Sequence, residues 1–193
     1  MKLLKLAFLL FLIAPTAFAE TEDNFYLKLA NATKELKTLV IYDSSYTKIA
    51  YPNGDVNERK GVCTDVVIRT YRKLGIDLQQ KVHEDMKKNF EKYPRIWGLK
   101  KPDANIDHRR VPNLQVFFSR YGETLPISDN PKDYKAGDIV TWDVGNNTPH
   151  IGIVINEKSQ DDKRPLIFHN IGFGQVKEDC LFNYKITGHY RYK

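Results

Sequence analysis

The chain has 193 residues, a formal net charge of +6, a hydrophobic fraction of 41% and two cysteines. This length is typical of one domain with a substantial hydrophobic core. Acidic and basic residues are mixed along the whole sequence, which contains no basic block and no aromatic–basic motif. The composition therefore argues against a nucleic-acid partner.

The chain begins MKLLKLAFLLFLIAPTAFAE, in which Lys2 and Lys5 precede an apolar run and the small-residue pattern of residues 17–19. This pattern is typical of a secretory signal peptide, and the apolar run is too short to span a bilayer. We therefore predict a signal peptide over residues 1–19 and a single mature domain over residues 20–193. The mature protein is expected in an extracytoplasmic space such as a bacterial periplasm, without stable insertion in the membrane.

Apolar residues recur at helical spacing in the first two thirds of the chain and predict four helices. The segments are EDNFYLKLANATKELKTL, VCTDVVIRTYRKLG, QKVHEDMKKNFEKY and VPNLQVFFSRYG. In the second helix the pattern places Cys63, Val67 and Tyr71 on one buried stripe. In the fourth helix it predicts that Phe118 and Tyr121 are buried.

After the fourth helix the hydrophobic period shortens to that of strands. The segments DIVTWDV, HIGIVIN, PLIFHNI and ITGHYRYK are rich in β-branched and aromatic residues and are separated by Gly, Asn, Asp and Pro. Helices followed by a mostly antiparallel sheet predict an α+β fold.

Cys63 stands at the first turn of the second predicted helix. Unpaired backbone N–H groups and the positive end of the helix dipole favour a thiolate there, and the same groups can stabilise an oxyanion. These features favour Cys63 as a catalytic nucleophile. The alternative is a disulfide with Cys180, since two cysteines in an oxidising compartment often pair. Without that bond, Cys180 is expected to be a small buried apolar residue.

A thiol nucleophile needs a base and a group that orients the base. His150 begins the strand HIGIVI and is the candidate base, with Gly152 leaving room beside it. His169 and Asn170 follow on the next strand. Because strand side chains alternate between the two faces of a sheet, only one of this pair can point at His150.

Three segments together resemble a known group of enzymes: GVCTDVV, AGDIVTWDVGNNTPHIGIVI and LIFHNIG. They are similar to the papain-like cell-wall hydrolases of the NlpC and CHAP kind. A longer pattern, from YPNGDV to HNIG, looks like a bacterial secreted family with a domain of unknown function grouped with that clan. The resemblance implies a papain-like fold with N-terminal helices packed on a mostly antiparallel sheet.

The same resemblance implies roles for individual residues. Cys63 would be the nucleophile, His150 the general base and His169 the orienting residue, with Asn170 as the alternative third member. Tyr51 lies where NlpC-type enzymes keep a tyrosine near the nucleophile. The chain departs from the NlpC pattern on both sides of the thiol, where it has Val62 and Asp65.

Further candidates lie between the helices. In NIDHRRV, His108 and Arg109 are candidate substrate-binding residues, because arginine can bind a carboxylate through two parallel hydrogen bonds. A loop salt-bridge network is the alternative interpretation. Tyr51, Asp65 and Asn170 complete the predicted substrate-binding set. The segment KVHEDMKK lacks the second histidine of a zinc-protease helix, so no metal and no cofactor are predicted.

The sequence thus predicts a periplasmic cysteine hydrolase that cleaves amide bonds through a thioester, with the peptide of peptidoglycan as the favoured substrate. The resemblance supplies the substrate class, and the residues supply the chemistry. Two alternatives stay open. One is a non-catalytic module of the same fold that binds cell wall or protein, and the other is an acyltransferase that uses the same thiol.

Overall fold

The computed structural model describes residues 16–172 and 174–193, with side chains from Asn24 onward. Most of the predicted signal peptide therefore lies outside the described residues. No described helix is long and apolar enough to cross a membrane.

The described residues form four α-helices. These are α1 (Thr16–Ala32), α2 (Cys63–Lys73), α3 (Leu78–Lys88) and α4 (Val111–Tyr121). The predicted second and fourth helices are confirmed almost to their ends. Helix α3 begins earlier than predicted, because the Asp77 side chain caps its first turn by accepting a hydrogen bond from the backbone N–H of Gln79 at 3.1 Å.

One side chain in α4 was predicted wrongly. Tyr121 is 53% exposed rather than buried. Its ring stacks on Phe117 with 5.0 Å between the ring centroids, and its hydroxyl donates to Asp85 at 2.6 Å. The helical pattern predicted the side of α4 from which Tyr121 projects, but the apolar core ends one turn before this residue.

Eight strands are present among the described residues. They are β1 (Ile41–Tyr42), β2 (Lys60–Gly61), β3 (Glu123–Thr124), β4 (Ile139–Asp143), β5 (Pro149–Lys158), β6 (Pro165–Asn170), β7 (Gln175–Glu178) and β8 (Lys185–Arg191). Strands β1 and β2 pair in parallel, and the other six form an antiparallel sheet in the order β3-β8-β4-β5-β6-β7. The α+β prediction is confirmed, and the four predicted strands are the central and longest ones.

The sheet separates two apolar clusters. Helix α2 packs on β5 and β6, and its cluster includes Cys63 together with Ile151 and Ile153 of β5. A second cluster contains Val154 of β5 and Trp142 of β4. Alternation along β5 therefore assigns odd-numbered residues to the helix side and even-numbered ones to the other face. This arrangement brings the start of α2 against the start of β5.

Candidate functional site

Cys63 is the first residue of α2 and is only 5% exposed. Both cysteines are free thiols, so the disulfide that the sequence left open is not formed in this structure. Burial of the sulfur agrees with the stripe predicted for α2.

A buried ion pair holds the loop before Cys63. The carboxylate of Asp65 accepts the backbone N–H of Val62 at 2.7 Å, which caps the start of α2. The guanidinium of Arg109 donates to both oxygens of Asp65, at 2.9 and 3.0 Å, and both side chains are almost fully buried. These contacts supply structural partners to Asp65 and Arg109, which the sequence assigned to substrate binding. They match the salt-bridge network that was the alternative.

His108 and Tyr51 are the other two predicted loop residues. His108 is buried, and burial together with the charges of Arg109 and Arg72 lowers its pKa to about 3. Tyr51 is exposed, and its ring meets the edge of His83 at 5.1 Å between centroids. The structure does not bring either residue into hydrogen-bond contact with Cys63.

A different tyrosine lies near the nucleophile. Tyr42 of β1 pairs with Gly61 of β2, two residues before Cys63. Partial burial raises the pKa of Tyr42, which is 41% exposed, to about 12, with the electrostatic effects of Cys63 and Asp65 acting in the same direction. Sequence reasoning missed Tyr42, because a two-residue strand carries no periodic signal.

Two histidines and a glutamate form a hydrogen-bonded chain across β5, β6 and β7. His150 Nε2 lies 2.8 Å from His169 Nδ1, and His169 Nε2 lies 2.8 Å from a carboxylate oxygen of Glu178. Both histidines are buried, whereas the Glu178 side chain is 46% exposed. Glu178 was not predicted, because β7 has only four residues and follows a glycine-rich sequence.

Strand register explains why His169 faces His150. Ile153 pairs with Phe168, so His169 lies opposite Gly152, which shares a face with His150. A Cβ atom on Gly152 would lie 2.7 Å from Ile167 Cγ2 and 3.1 Å from His169 Cβ. Glycine at this position therefore permits the close approach of β6 that brings the two rings together.

Asn170 points away from the histidine pair. Its amide donates to the carbonyl of Gly61 at 3.4 Å, and its side-chain oxygen accepts the backbone N–H of Gly172 at 3.2 Å. Asn170 therefore ties the end of β6 to the loop before Cys63, and it makes no hydrogen bond to His150.

The sulfur of Cys63 lies beside the start of β5. The backbone N–H of Ile151, the residue after His150, is directed at this sulfur. The β5–β6 ladder begins at Ile153, so the N–H of Ile151 lies outside the ladder at the point where the start of α2 meets β5. Within the described chain no hydrogen bond joins Cys63 to His150, and the His150 side chain makes its one hydrogen bond to His169.

Burial governs the protonation of the site. It raises the pKa of Cys63 to about 12, although the backbone N–H groups of Ile151 and Thr64 oppose it. Burial and the neighbouring His169 lower the pKa of His150 to about 3. The expectation of a stabilised thiolate was therefore wrong for this closed site, since desolvation outweighs the helix terminus. At neutral pH the pair is an uncharged thiol and an uncharged imidazole.

Cys180 has two kinds of neighbour. It packs with Trp142 and Leu181 in the second apolar cluster, as expected for a buried small side chain. Its sulfur also lies 3.7 Å from His169 Nε2, on the side of the ring that faces Glu178. Burial, followed by the charges of Glu178 and Asp179, raises the pKa of Cys180 to about 12.

The fold and the site together define a class: an α+β domain with a buried thiol at a helix start and a histidine pair on adjacent strands. The chain belongs to the DUF1287 family, described as a domain of unknown function, which matches residues 29–192. It is 50% identical over 179 residues to the protein named "Uncharacterized protein YijF" of Escherichia coli (strain K12), covering 92% of this chain and 87% of that one.

A solved structure, NlpC2 from Trichomonas vaginalis, aligns with 89% of this chain at a TM-score of 0.48 and 15% sequence identity. The alignment covers 46% of the NlpC2 chain, so this chain spans about half the length of that structure.

Proposed function

We propose that this protein is a cysteine hydrolase that cleaves amide bonds, with Cys63 as nucleophile and His150 as general base. One observation carries the proposal. His150 is oriented by His169, while the N–H of the residue after it is directed at the Cys63 sulfur. A nucleophile, a base and an orienting group are the three parts that thiol catalysis requires.

The hydrogen-bonded chain supports a definite set of proton positions. A carboxylate can only accept, so His169 donates its Nε2 proton to Glu178. His169 Nδ1 then accepts the Nε2 proton of His150. This leaves His150 Nδ1 as an unprotonated nitrogen, which is the state that a base for Cys63 needs. Glu178 is thus a positioning residue that sets both tautomers.

The reaction follows from these positions. His150 Nδ1 takes the thiol proton as sulfur attacks the carbonyl carbon, because a neutral pair has no preformed thiolate. Backbone N–H groups at the start of α2 stabilise the oxyanion. His150 then gives the proton to the leaving amine, and a thioester forms. Water attacks the thioester with His150 again as base, which releases the acid and restores the thiol.

The peptide of peptidoglycan is the proposed substrate, and the periplasm the proposed location. The support is the resemblance of the GVCTDVV, GDIVTW and HIGIVI segments to cell-wall hydrolases, together with the signal-like N-terminus. The net positive charge suits an acidic polymer. Cys63 and His150 are buried, and alternation along β5 directs the His150 ring towards Trp142, on the face opposite α2. We therefore infer that the start of β5 and the segment around Tyr42 move when substrate binds, which brings His150 Nδ1 to the thiol.

Digestion of purified sacculi tests the proposal, with released fragments identified by mass. Cys63→Ser and His150→Ala should each lower fragment release by about 10⁴-fold or more, and the double variant should be no worse than either. Lys81→Ala is the control, because this exposed residue lies on α3 outside the site. Melting temperatures establish that the variants fold.

Three results would count against hydrolysis. Full activity in Cys63→Ser would exclude the thiol mechanism. Cosedimentation of the wild type with sacculi, without any released fragment, would favour the binding module. Fragments that carry an added amine instead of water would identify acyl transfer.

A further inference from the structure

Three potential metal ligands converge on the side of His169 that faces away from His150. His169 Nε2, a carboxylate oxygen of Glu178 and Cys180 Sγ all lie within 4.8 Å of one another. We propose that these three side chains form a binding site for a divalent transition-metal ion of the zinc type. This proposal revises the expectation, drawn from the sequence, that the protein has no metal ligands.

The spacing of the histidine nitrogen and the cysteine sulfur fits such an ion, and the half-exposed Glu178 carboxylate has to adjust to complete the site. In a tetrahedral zinc site, a histidine nitrogen and a cysteine sulfur lie about 3.6 Å apart, since the metal bonds are about 2.0–2.1 and 2.3 Å long. The observed separation of His169 Nε2 and Cys180 Sγ is 3.7 Å. The nitrogen and a carboxylate oxygen should lie about 3.4 Å apart. They are 2.8 Å apart here, so the half-exposed Glu178 has to withdraw by about half an ångström.

The chemistry of the three groups selects the class of metal. A thiolate, a carboxylate and a neutral imidazole carry two negative charges together, which neutralise a divalent cation in a largely buried site. The Cys180 proton is released to solvent when the metal binds. One nitrogen, one sulfur and one oxygen donor suit zinc or cobalt rather than magnesium or calcium. The exposed side of Glu178 gives water access to the fourth coordination position.

The surroundings of His169 also match those of a metal ligand. A metal-bound histidine almost always uses its other ring nitrogen in a hydrogen bond that fixes its orientation. His169 Nδ1 has this bond, to His150 at 2.8 Å. The ring is therefore held with Nε2 directed at Glu178 and Cys180 before any metal binds.

Metal binding would reverse the proton positions in the histidine pair, a consequence that rests on the proposed function. A metal on Nε2 leaves the His169 proton on Nδ1, which must then donate to His150 Nε2. His150 would keep its own proton on Nδ1 and could not accept the proton of Cys63. The site would therefore act as an inhibitory switch on the hydrolase.

Cobalt titration of the reduced, metal-free protein tests the site without reference to hydrolysis. We expect one cobalt ion per chain, with a thiolate-to-cobalt charge-transfer band and the visible bands of tetrahedral cobalt. Cys180→Ser should abolish the charge-transfer band, whereas Cys63→Ser should retain it. Glu178→Gln should weaken cobalt affinity by at least about tenfold, and the matched control Glu157→Gln, another strand glutamate beside Lys177, should not.

The proposal is overturned if equimolar cobalt produces no charge-transfer band. It is also overturned if the band is lost in Cys63→Ser and kept in Cys180→Ser, because the metal would then bind the other thiol. Unchanged cobalt affinity in Glu178→Gln would show that the carboxylate is not a ligand and would overturn the three-ligand site. Because Glu178 is exposed, this variant still tests the site if Cys180→Ser fails to fold. In the sacculus assay, equimolar zinc should inhibit the wild type and a chelator should restore it. The cobalt result decides the metal site even where no hydrolysis is found.

Discussion

Two histidine–carboxylate pairs lie at different places in the same sheet, and they have the same contact. His169 Nε2 lies 2.8 Å from Glu178, and His189 Nε2 lies 2.8 Å from Asp138. Their remaining partners differ. The other nitrogen of His189 lies 3.1 Å from the carbonyl of Pro126, whereas the other nitrogen of His169 lies 2.8 Å from a second titratable ring.

The two carboxylates differ as well. Asp138 is fully buried and also accepts hydrogen bonds from Arg191 and from the backbone N–H of Lys135. Glu178 is half-exposed and has no second side-chain partner among the described residues. The His189–Asp138 pair, called the closed pair below, is a buried network that can only stabilise the fold. The His169–Glu178 pair, called the open pair below, connects solvent to His150, so the same contact can take part in proton transfer. The group that contacts the second ring nitrogen therefore decides whether a histidine–carboxylate pair only stabilises the fold or can also take part in proton transfer.

Breaking the closed pair should have the largest effect on stability. Asp138→Asn leaves Arg191 without its buried charge partner and His189 without its carboxylate, and removal of one partner from a buried ion pair costs about 3–5 kcal/mol. Urea denaturation at neutral pH measures this loss. Asp129→Asn, at an exposed position, should change stability by less than about 0.5 kcal/mol. Equal stabilities of the two variants would contradict the structural role of Asp138.

His150, the ring that the open pair contacts, should make the stability of the fold sensitive to acid. The pKa of His150 is lowered to about 3 in the folded protein, against about 6.5 in an unfolded chain. The unfolded state therefore binds more protons, so stability is complete above pH 6.5 and falls as the pH drops from 6.5 towards 3. The loss should be on the order of a few kcal/mol.

Urea midpoints at about pH 7 and about pH 4.5 measure this dependence. His150→Gln should lose less stability between the two pH values than the wild type, because it has no proton to bind. Part of the acid sensitivity should persist in the variant, since the pKa of His108 is also lowered to about 3. An unchanged pH dependence in His150→Gln would show that burial does not lower the pKa of His150.

The smallest expected effect comes from the exposed end of the open pair. Glu178→Gln can still hydrogen-bond His169, but its amide no longer fixes which nitrogen carries the proton. Turnover in the sacculus assay should fall by about tenfold, while stability changes by less than about 0.5 kcal/mol. Glu157→Gln is the control, and it should change neither quantity. A large loss of stability in Glu178→Gln would place this pair with the structural one.

Much of the fold follows from the sequence alone. Helices α2 and α4 and strands β4, β5, β6 and β8 were predicted from hydrophobic period and turn residues, because local periodicity reports which face of an element is buried. The sequence also placed Cys63 at a helix start and restricted the third position to His169 or Asn170. These features depend on residues that are close together in the sequence, so a short segment is enough to predict them.

Tertiary structure decided the rest. The contact of His169 with His150 depends on the register of β5 against β6, and the roles of Glu178 and Tyr42 depend on strands too short to show a period. Asp65 and Arg109 are 44 residues apart, so their pairing could not be read from either segment. The Cys63 thiol has a raised pKa because the packed chain removes it from water, and desolvation is a property of the whole fold rather than of the helix that carries the residue.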